Sequence, residues 1–197
     1  MPREVEWSEK LAFSSGITEA THPDTIRTLL GPSCLRVTPN SQSGNDHGID
    51  FYAYLRKGAV LGVDIKARMR GCSRYWQLRS QSGTGREPEV ALETWSVIPC
   101  DGDHGMVGWT LDESKATDYT LHVFDETDTP ECFLLPFQLT RMAFRRCLHQ
   151  WIDRYRVERQ ATVRGDRRWQ SECVFVPAVI VLDAIQCEMR PSLRQRS

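Results

Sequence analysis

The sequence predicts an α+β fold in a single domain spanning residues 1–197. Three observations lead there. Apolar residues recur at helical spacing near the N-terminus and, more strongly, over residues 139–156. Between them lies a run of short segments in which apolar and polar residues alternate, broken by Gly, Pro, Asn and Asp. A late apolar segment over residues 174–179 returns to strand character. A block of strands with helices set apart from it is the α+β pattern. At 197 residues the chain can bury a core and still be one domain.

Taken in order, residues 4–13 read as a short helix. Residues 17–30 read as a better one, with Ile17, Ala20, Ile26, Leu29 and Leu30 apolar and Gly31-Pro32 closing it. Pro23 interrupts that segment, or starts its second half as a first-turn proline after His22. Residues 34–38 form a short strand and 39–45 a polar, turn-rich loop. Residues 49–55 and 59–68 form a hairpin. Residues 70–88 form a long basic loop rich in Gly, Ser and Gln, of a length that usually carries function or moves. Residues 90–98 are a third strand with Glu93 at its centre, and 100–105 a tight acidic turn. Residues 114–124 lead into a strand with Tyr119, Leu121 and Val123 on one side, and 132–136 form another. The helix over 139–156 is the strongest, with Leu139, Met142, Ala143, Cys147, Trp151 and Tyr155 near helical spacing. Residues 174–179 are a late strand, 181–189 a short helix, and 190–197 a frayed tail.

The hairpin is the most informative segment. Its turn falls at Arg56-Lys57-Gly58-Ala59. Val63, Ile65 and Ala67 face a core together with Ile49, Phe51, Ala53 and Leu55. Asp64, Lys66 and Arg68 point the other way, as do Asp50, Tyr52 and Tyr54. Centring the hairpin on Lys57 sets Asp50 opposite Asp64; centring it on Gly58 sets Asp50 opposite Lys66. Either register gathers Asp50, Asp64 and Lys66 into one patch. Two carboxylates can hold a hard divalent cation, and a lysine beside them can activate water or stabilise a phosphate.

These residues resemble the PD-(D/E)XK nuclease superfamily. Its pattern places an aspartate at the start of one strand and Asp/Glu-x-Lys on the next strand after a short turn. Asp50 matches the first position and Asp64-Ile65-Lys66 the second, while Ile49 stands where the family often has proline. A second likeness lies downstream. Gly108-Trp109-Thr110-Leu111, followed by Ser114-Lys115-Ala116-Thr117-Asp118-Tyr119, is similar to a run after the glutamate strand in several phage and bacterial nucleases of this superfamily. The resemblance implies a restriction-endonuclease-like fold, a central mixed β-sheet flanked by helices. It implies a divalent-metal-dependent DNA endonuclease that hydrolyses phosphodiester bonds and leaves 5′-phosphate ends. Mg2+, or Mn2+ in its place, would sit on Asp50 and Asp64. Lys66 would orient the attacking water or offset charge on the phosphoryl oxygens. Glu93 matches a further acidic position near the metal. An acid from the N-terminal helix often completes such a site, and Glu19 is the candidate, with Glu9 as runner-up. Nucleases of this class often pair to cut both strands, so a homodimer is open.

Substrate contacts are expected from Arg68 and from the long loop. There Tyr75 and Trp76 sit among Arg70, Arg74 and Arg79, and aromatic residues within basic runs can stack on unpaired bases while arginines hold phosphates. Lys115 is a candidate phosphate contact, the alternative being a structural role in its turn. His47 precedes Asp50 by three residues in a polar loop, where a solvated histidine is the simpler reading. Arg145 and Arg146 on the main helix are candidates for a DNA backbone, or part of a solvated face.

Composition narrows the remaining classes. The formal net charge is −1, so any basic face must come from segregation of charge. Residues 65–86 carry Lys66, Arg68, Arg70, Arg74, Arg79 and Arg86 with no acid among them, whereas Lys115 is the only lysine or arginine from 87 to 131. Residues 141–168 turn basic again. The 7 cysteines form no C-x-x-C pair, which argues against a zinc ribbon and for reduced thiols in the cytoplasm. His22, His104, His122 and His149 have no metal-ligand spacing. There is no apolar run long enough to span a bilayer or act as a secretion signal, and no P-loop, G-x-S-x-G or dinucleotide fingerprint. The nuclease resemblance implies DNA as the partner, and the lack of a long apolar run implies no membrane. The alternative is a non-catalytic factor on the same fold that binds nucleic acid or protein, as a phage accessory or structural protein would.

Overall fold

Prolines mark several joints of the chain. Pro23 lies in the first turn of helix α1 (His22–Leu30), where its missing N–H costs nothing. Pro39 is the last residue of strand β2 (Cys34–Pro39). Pro136 ends β8 (Glu131–Pro136) and caps helix α2 (Phe137–Arg154). Pro177 ends β10 (Arg167–Pro177) and caps helix α3 (Ala178–Met189). Gly31, at φ 71°, takes the left-handed conformation that closes α1 into a short 3₁₀ turn, Gly31–Ser33. The other elements are β1 (Glu4–Glu6), β3 (Phe51–Leu55), β4 (Val60–Arg68), β5 (Glu89–Val97), β6 (Met106–Val107), β7 (Tyr119–Phe124) and β9 (Arg156–Arg164). These come from a computed structural model that describes residues 4–6, 22–41, 48–68, 88–99, 104–124, 131–164 and 166–190.

The fold is α+β, with mixed five-stranded sheets and three α-helices among the described residues. The strands divide between two sheets instead of forming the single central sheet expected. One sheet has the order β2-β3-β4-β7-β8, the other β1-β9-β10-β5-β6. In the first, β4 is central. It pairs antiparallel with β3 and parallel with β7, and the chain passes through β5 and β6 of the other sheet between the two.

Both faces of this sheet are covered. On one face Phe51, Ala53, Val63, Leu121 and Val123 pack around Ile26 of α1. On the other, Leu135 of β8 joins Phe144 and Trp151 of α2, Val90 and Leu92 of β5, Val174 and Val176 of β10, and Val181 and Ile185 of α3. Helix α2 thus fills the space between β8 and the second sheet.

The hairpin register is the one centred on Lys57: Phe51 pairs with Val63 and Tyr52 with Gly62. Its faces are as the alternation implies for Phe51, Ala53, Val63 and Ile65, whereas Ile49, just before β3, lies against Gly62 on the Asp64 side. Three expectations are corrected. Residues 4–6 are not helical; they form β1, parallel to β9. A three-residue strand carries no periodicity of its own, so its state is set by the partner edge. Helix α2 begins at Phe137 and ends at Arg154, and residues 156–164 form a strand with no counterpart in the sequence reading. Its Arg- and Glu-rich pattern shows little apolar alternation, and pairing with β10 supplies what local sequence does not. The late strand starts at Arg167, seven residues before the apolar run, and α3 begins at Ala178. No helix among the described residues is long and apolar enough to cross a membrane.

Asp118 ties three elements at the edge of β4. The Gly62 N–H donates to Asp118 Oδ2 at 2.7 Å, and the Asp118 N–H donates to the Gly62 carbonyl at 2.9 Å. The Phe137 N–H at the start of α2 donates to the Asp118 carbonyl at 2.8 Å. Asp118→Ala removes the acceptor of the buried Gly62 N–H and is expected to cost about 1–2 kcal/mol in urea unfolding. An unchanged midpoint would show that this carboxylate does not hold β4.

Candidate active site

Strand β4 is buried on both faces yet carries two charges. Asp64 is 7 % exposed, and Lys66 points to the same side two residues on. Burial of an unpaired charge is prohibitive, so the two satisfy each other. Lys66 Nζ lies 2.7 Å from Asp64 Oδ2, with 29 % of the lysine side chain exposed. Asp50, just before β3, comes across the hairpin to the same place. Its Oδ2 accepts the Ile65 N–H at 2.8 Å, and its own N–H donates to the Val63 carbonyl at 2.9 Å. Asn40 fixes this corner: its N–H donates to the Asp50 carbonyl and its side-chain amide to the Ile49 carbonyl.

The hairpin register sets Asp50 opposite Asp64, and Asp50 adds negative charge beside the Asp64 carboxyl. Burial, opposed by the Lys66 ammonium and reinforced by Asp50, pushes the Asp64 carboxyl up to about 6. Burial pulls Lys66 down, but Asp64, then Asp50 and Glu93, outweigh it and hold the ammonium above its ordinary range. Lys66 is therefore a persistent cation, suited to orienting water or offsetting negative charge and unsuited to taking a proton.

Glu93 reaches the other side of Lys66 from the second sheet. Its Oε2 accepts the Ser96 hydroxyl at 2.6 Å and the Trp109 N–H at 2.9 Å. Its own N–H donates to Thr110 Oγ1. Gly108 makes this crossing possible: a Cβ there would lie 2.3 Å from the Glu93 carbonyl oxygen, so only glycine admits so close an approach. Trp109 then places its ring 4.6 Å from Lys66 Nζ. Its ring also lies 5.9 Å from that of Phe137 and 6.4 Å from that of His122, between centroids, and Arg141 stands over Phe137 at 4.6 Å. The same segment returns to the hairpin through Thr117, whose hydroxyl donates to the Gly48 carbonyl.

The structure thus brings Asp50, Asp64, Lys66 and Glu93 together. Lys115 lies near: its stem packs beside Gly48, and its ammonium is 4.0 Å from Asp112. Arg68 is the last residue of β4. Glu19, Glu9, His47, Arg70, Arg74, Tyr75, Trp76 and Arg79 lie outside the described residues. Several arginines expected on a basic face are paired with acids: Arg145 with Glu113, Arg146 with Glu188, Arg156 with Glu89 and Glu158, and Arg159 with Glu172. Trp109, Ser96 and Thr110 carried no assigned role in the sequence reading. The Gly108-Trp109 pair was the available signal, since a glycine before a large aromatic marks a close backbone crossing. Thr120 and His122 sit opposite Asp64 and Lys66 on β7, more than fifty residues away in sequence, and no local pattern announces that pairing.

Asp50 and Asp64 are the described carboxyls that could hold a magnesium-like ion. Among the described residues no third Asp, Glu, His or Cys completes a ligand cluster with Asp50 and Asp64. Mg2+ keeps several waters and often takes one or two carboxylates plus a substrate phosphate. A buried carboxyl with a second one opposite it carries negative charge that a cation can offset. No protein-family model matches this chain, and neither a curated protein nor a solved structure matches it.

A raised carboxyl pKa has a definite sign. The folded state binds the Asp64 proton more tightly than the unfolded chain does, so this group favours folding below about pH 4. That contribution is lost as pH rises through about 6. In EDTA, Asp64 is expected to lower stability between pH 4 and 7.5 by on the order of 1–3 kcal/mol. Asp64→Asn should flatten that slope in urea unfolding at matched pH values. Parallel pH curves for the two proteins would show that Asp64 is not held protonated.

Proposed function

We propose that this protein is a divalent-metal-dependent DNA endonuclease with a PD-(D/E)XK-type site on a restriction-endonuclease-like arrangement of strands. The observation that carries the reading is the register that sets Asp50 opposite Asp64 across the hairpin, with Lys66 next on the same face and paired with Asp64. A surface hairpin with unrelated charges has no reason to bury the Asp64 carboxyl beside a second, half-buried carboxyl, because repulsion and desolvation both oppose folding. A bound cation that offsets this negative charge gives the arrangement a purpose.

In this reading Asp50 and Asp64 hold Mg2+ or Mn2+. The ion would polarise a phosphoryl oxygen and lower the pKa of bound water. Lys66 stays protonated, orients the attacking water and offsets charge growing on the non-bridging oxygens. Trp109 restricts the lysine to the side facing Asp64 and excludes water from behind it. Glu93 holds Trp109 through its backbone N–H and adds negative potential that keeps Lys66 charged. Lys115, Arg68 and the arginine-rich residues 70–79 are the proposed phosphate contacts, and 5′-phosphate ends are the expected products.

A second reading, a non-catalytic nucleic-acid- or protein-binding factor, is favoured by the net charge of −1 and by the arginines engaged in ion pairs. Cleavage separates the two. Linear, circular, single-stranded and branched DNA should be incubated with Mg2+, Mn2+ or EDTA. Metal-dependent cutting is expected, reduced ~10²–10³-fold or more in Lys66→Met and Asp64→Ala. Circular dichroism would show that both variants are folded. Wild-type cutting by folded Lys66→Met would overturn the mechanism, and no cutting of any substrate by the folded wild type would favour the binding factor.

A further inference from the structure

The face of β7 beside the Asp64–Lys66 pair carries a hydroxyl with nothing to bond. In the parallel pairing of β4 and β7, Thr120 stands opposite Asp64 and His122 opposite Lys66. Leu121 and Val123 belong to the apolar cluster with Val63 on the far side of the sheet, so Thr120 and His122 share the face of Asp64 and Lys66. Thr120 is fully buried. Among the described residues its Oγ1 has no hydrogen-bond partner. An orphaned buried hydroxyl is uncommon, because leaving it unmet forfeits the hydration it had in the unfolded chain. Serine and threonine inside a strand also have a ready isostere in valine, which would fill the same space without the polar atom. A threonine retained opposite a buried carboxylate therefore points to a ligand that comes and goes.

We propose that Thr120 is a positioning residue of the proposed metal site, holding through its hydroxyl a water bound to the ion carried by Asp50 and Asp64. This deepens the nuclease reading and rests on it. Thr120 Oγ1 makes no hydrogen bond to Asp64 although the two residues stand opposite each other on neighbouring strands, and one water between them would give the hydroxyl its partner. Such outer-shell groups orient the ligands of an ion and tune its affinity. Here the hydroxyl accepts a hydrogen bond from the ion's water and restrains it on the β7 side. The Asp64 oxygens stay directed at the ion, with Lys66 held on the opposite flank.

The test is Mn2+ affinity, read by electron paramagnetic resonance of free ion, for wild type, Thr120→Val and Thr120→Ser, with thermal unfolding in EDTA beside it. Thr120→Val is expected to bind Mn2+ ~10–100-fold more weakly. It should unfold in EDTA at a temperature equal to or above that of wild type, because it removes an unmet hydroxyl. Thr120→Ser should bind within a few-fold of wild type. Equal affinity in wild type and Thr120→Val overturns the role of Thr120 while leaving the nuclease reading in place. Failure of the wild type itself to bind Mn2+ overturns both. If Thr120→Val does not fold, a crystal structure of the wild type with Mn2+ decides: a water bonded to both the ion and Thr120 Oγ1 is expected, and its absence overturns the proposal.

Discussion

An ammonium and a carboxylate on the central strand of a sheet covered on both faces constrain everything around them. Asp64 and Lys66 cannot reach bulk water freely, and removing either partner of a buried pair typically costs about 3–5 kcal/mol. They must therefore meet, at 2.7 Å, and their neighbours must keep the balance of charge. Burial first, and then the negative charge of Asp50, push the Asp64 carboxyl up to about 6 against the pull of the Lys66 ammonium. The surplus of carboxyl groups over cations is the chemical character of the centre. A purely structural strand at this position would carry valine or isoleucine.

The link between the two sheets follows from the same pair. Glu93 and Trp109 belong to the β5–β6 side of the molecule, yet both act on Lys66. Gly108 lets the chain touch the backbone of β5, Trp109 covers the ammonium, Thr117 binds the Gly48 carbonyl, and Asp118 grips Gly62. Residues 108–118 are therefore a strap that begins on one sheet and ends on the other. Phe137 and Arg141 back the tryptophan from the first turns of α2, so that helix also bears on the position of the lysine. Support of this kind fixes where the Lys66 ammonium sits relative to Asp64.

Away from this centre, electrostatics serve the fold. Arg146 joins α2 to α3 through Glu188, Arg156 joins β9 to β5 through Glu89, and Glu172 on β10 takes both Arg159 and the Thr94 hydroxyl. Charge that is segregated along the sequence is mixed in space in these regions. The acid-free stretch that starts on β4 lies closest to the candidate site in sequence, which keeps it the natural place for phosphate contacts.

The sequence by itself determined the hairpin, its two faces, the α+β class and the joint presence of Asp50, Asp64 and Lys66. These depend on residues close in the chain and on strict alternation, which a pleated strand translates directly into geometry. It also left open two registers, and pairing of Phe51 with Val63 chose the one that sets Asp50 against Asp64. Only the tertiary structure decided the division into two sheets, the strand over residues 156–164, and the parallel alignment of β4 with β7. Long-range pairing depends on which edges meet, and Glu4–Glu6 or Arg156–Arg164 carry too little periodicity to declare it. For the same reason Trp109 over Lys66 and Thr120 beside Asp64 are visible only in the folded chain, where residues forty to sixty positions apart come into contact.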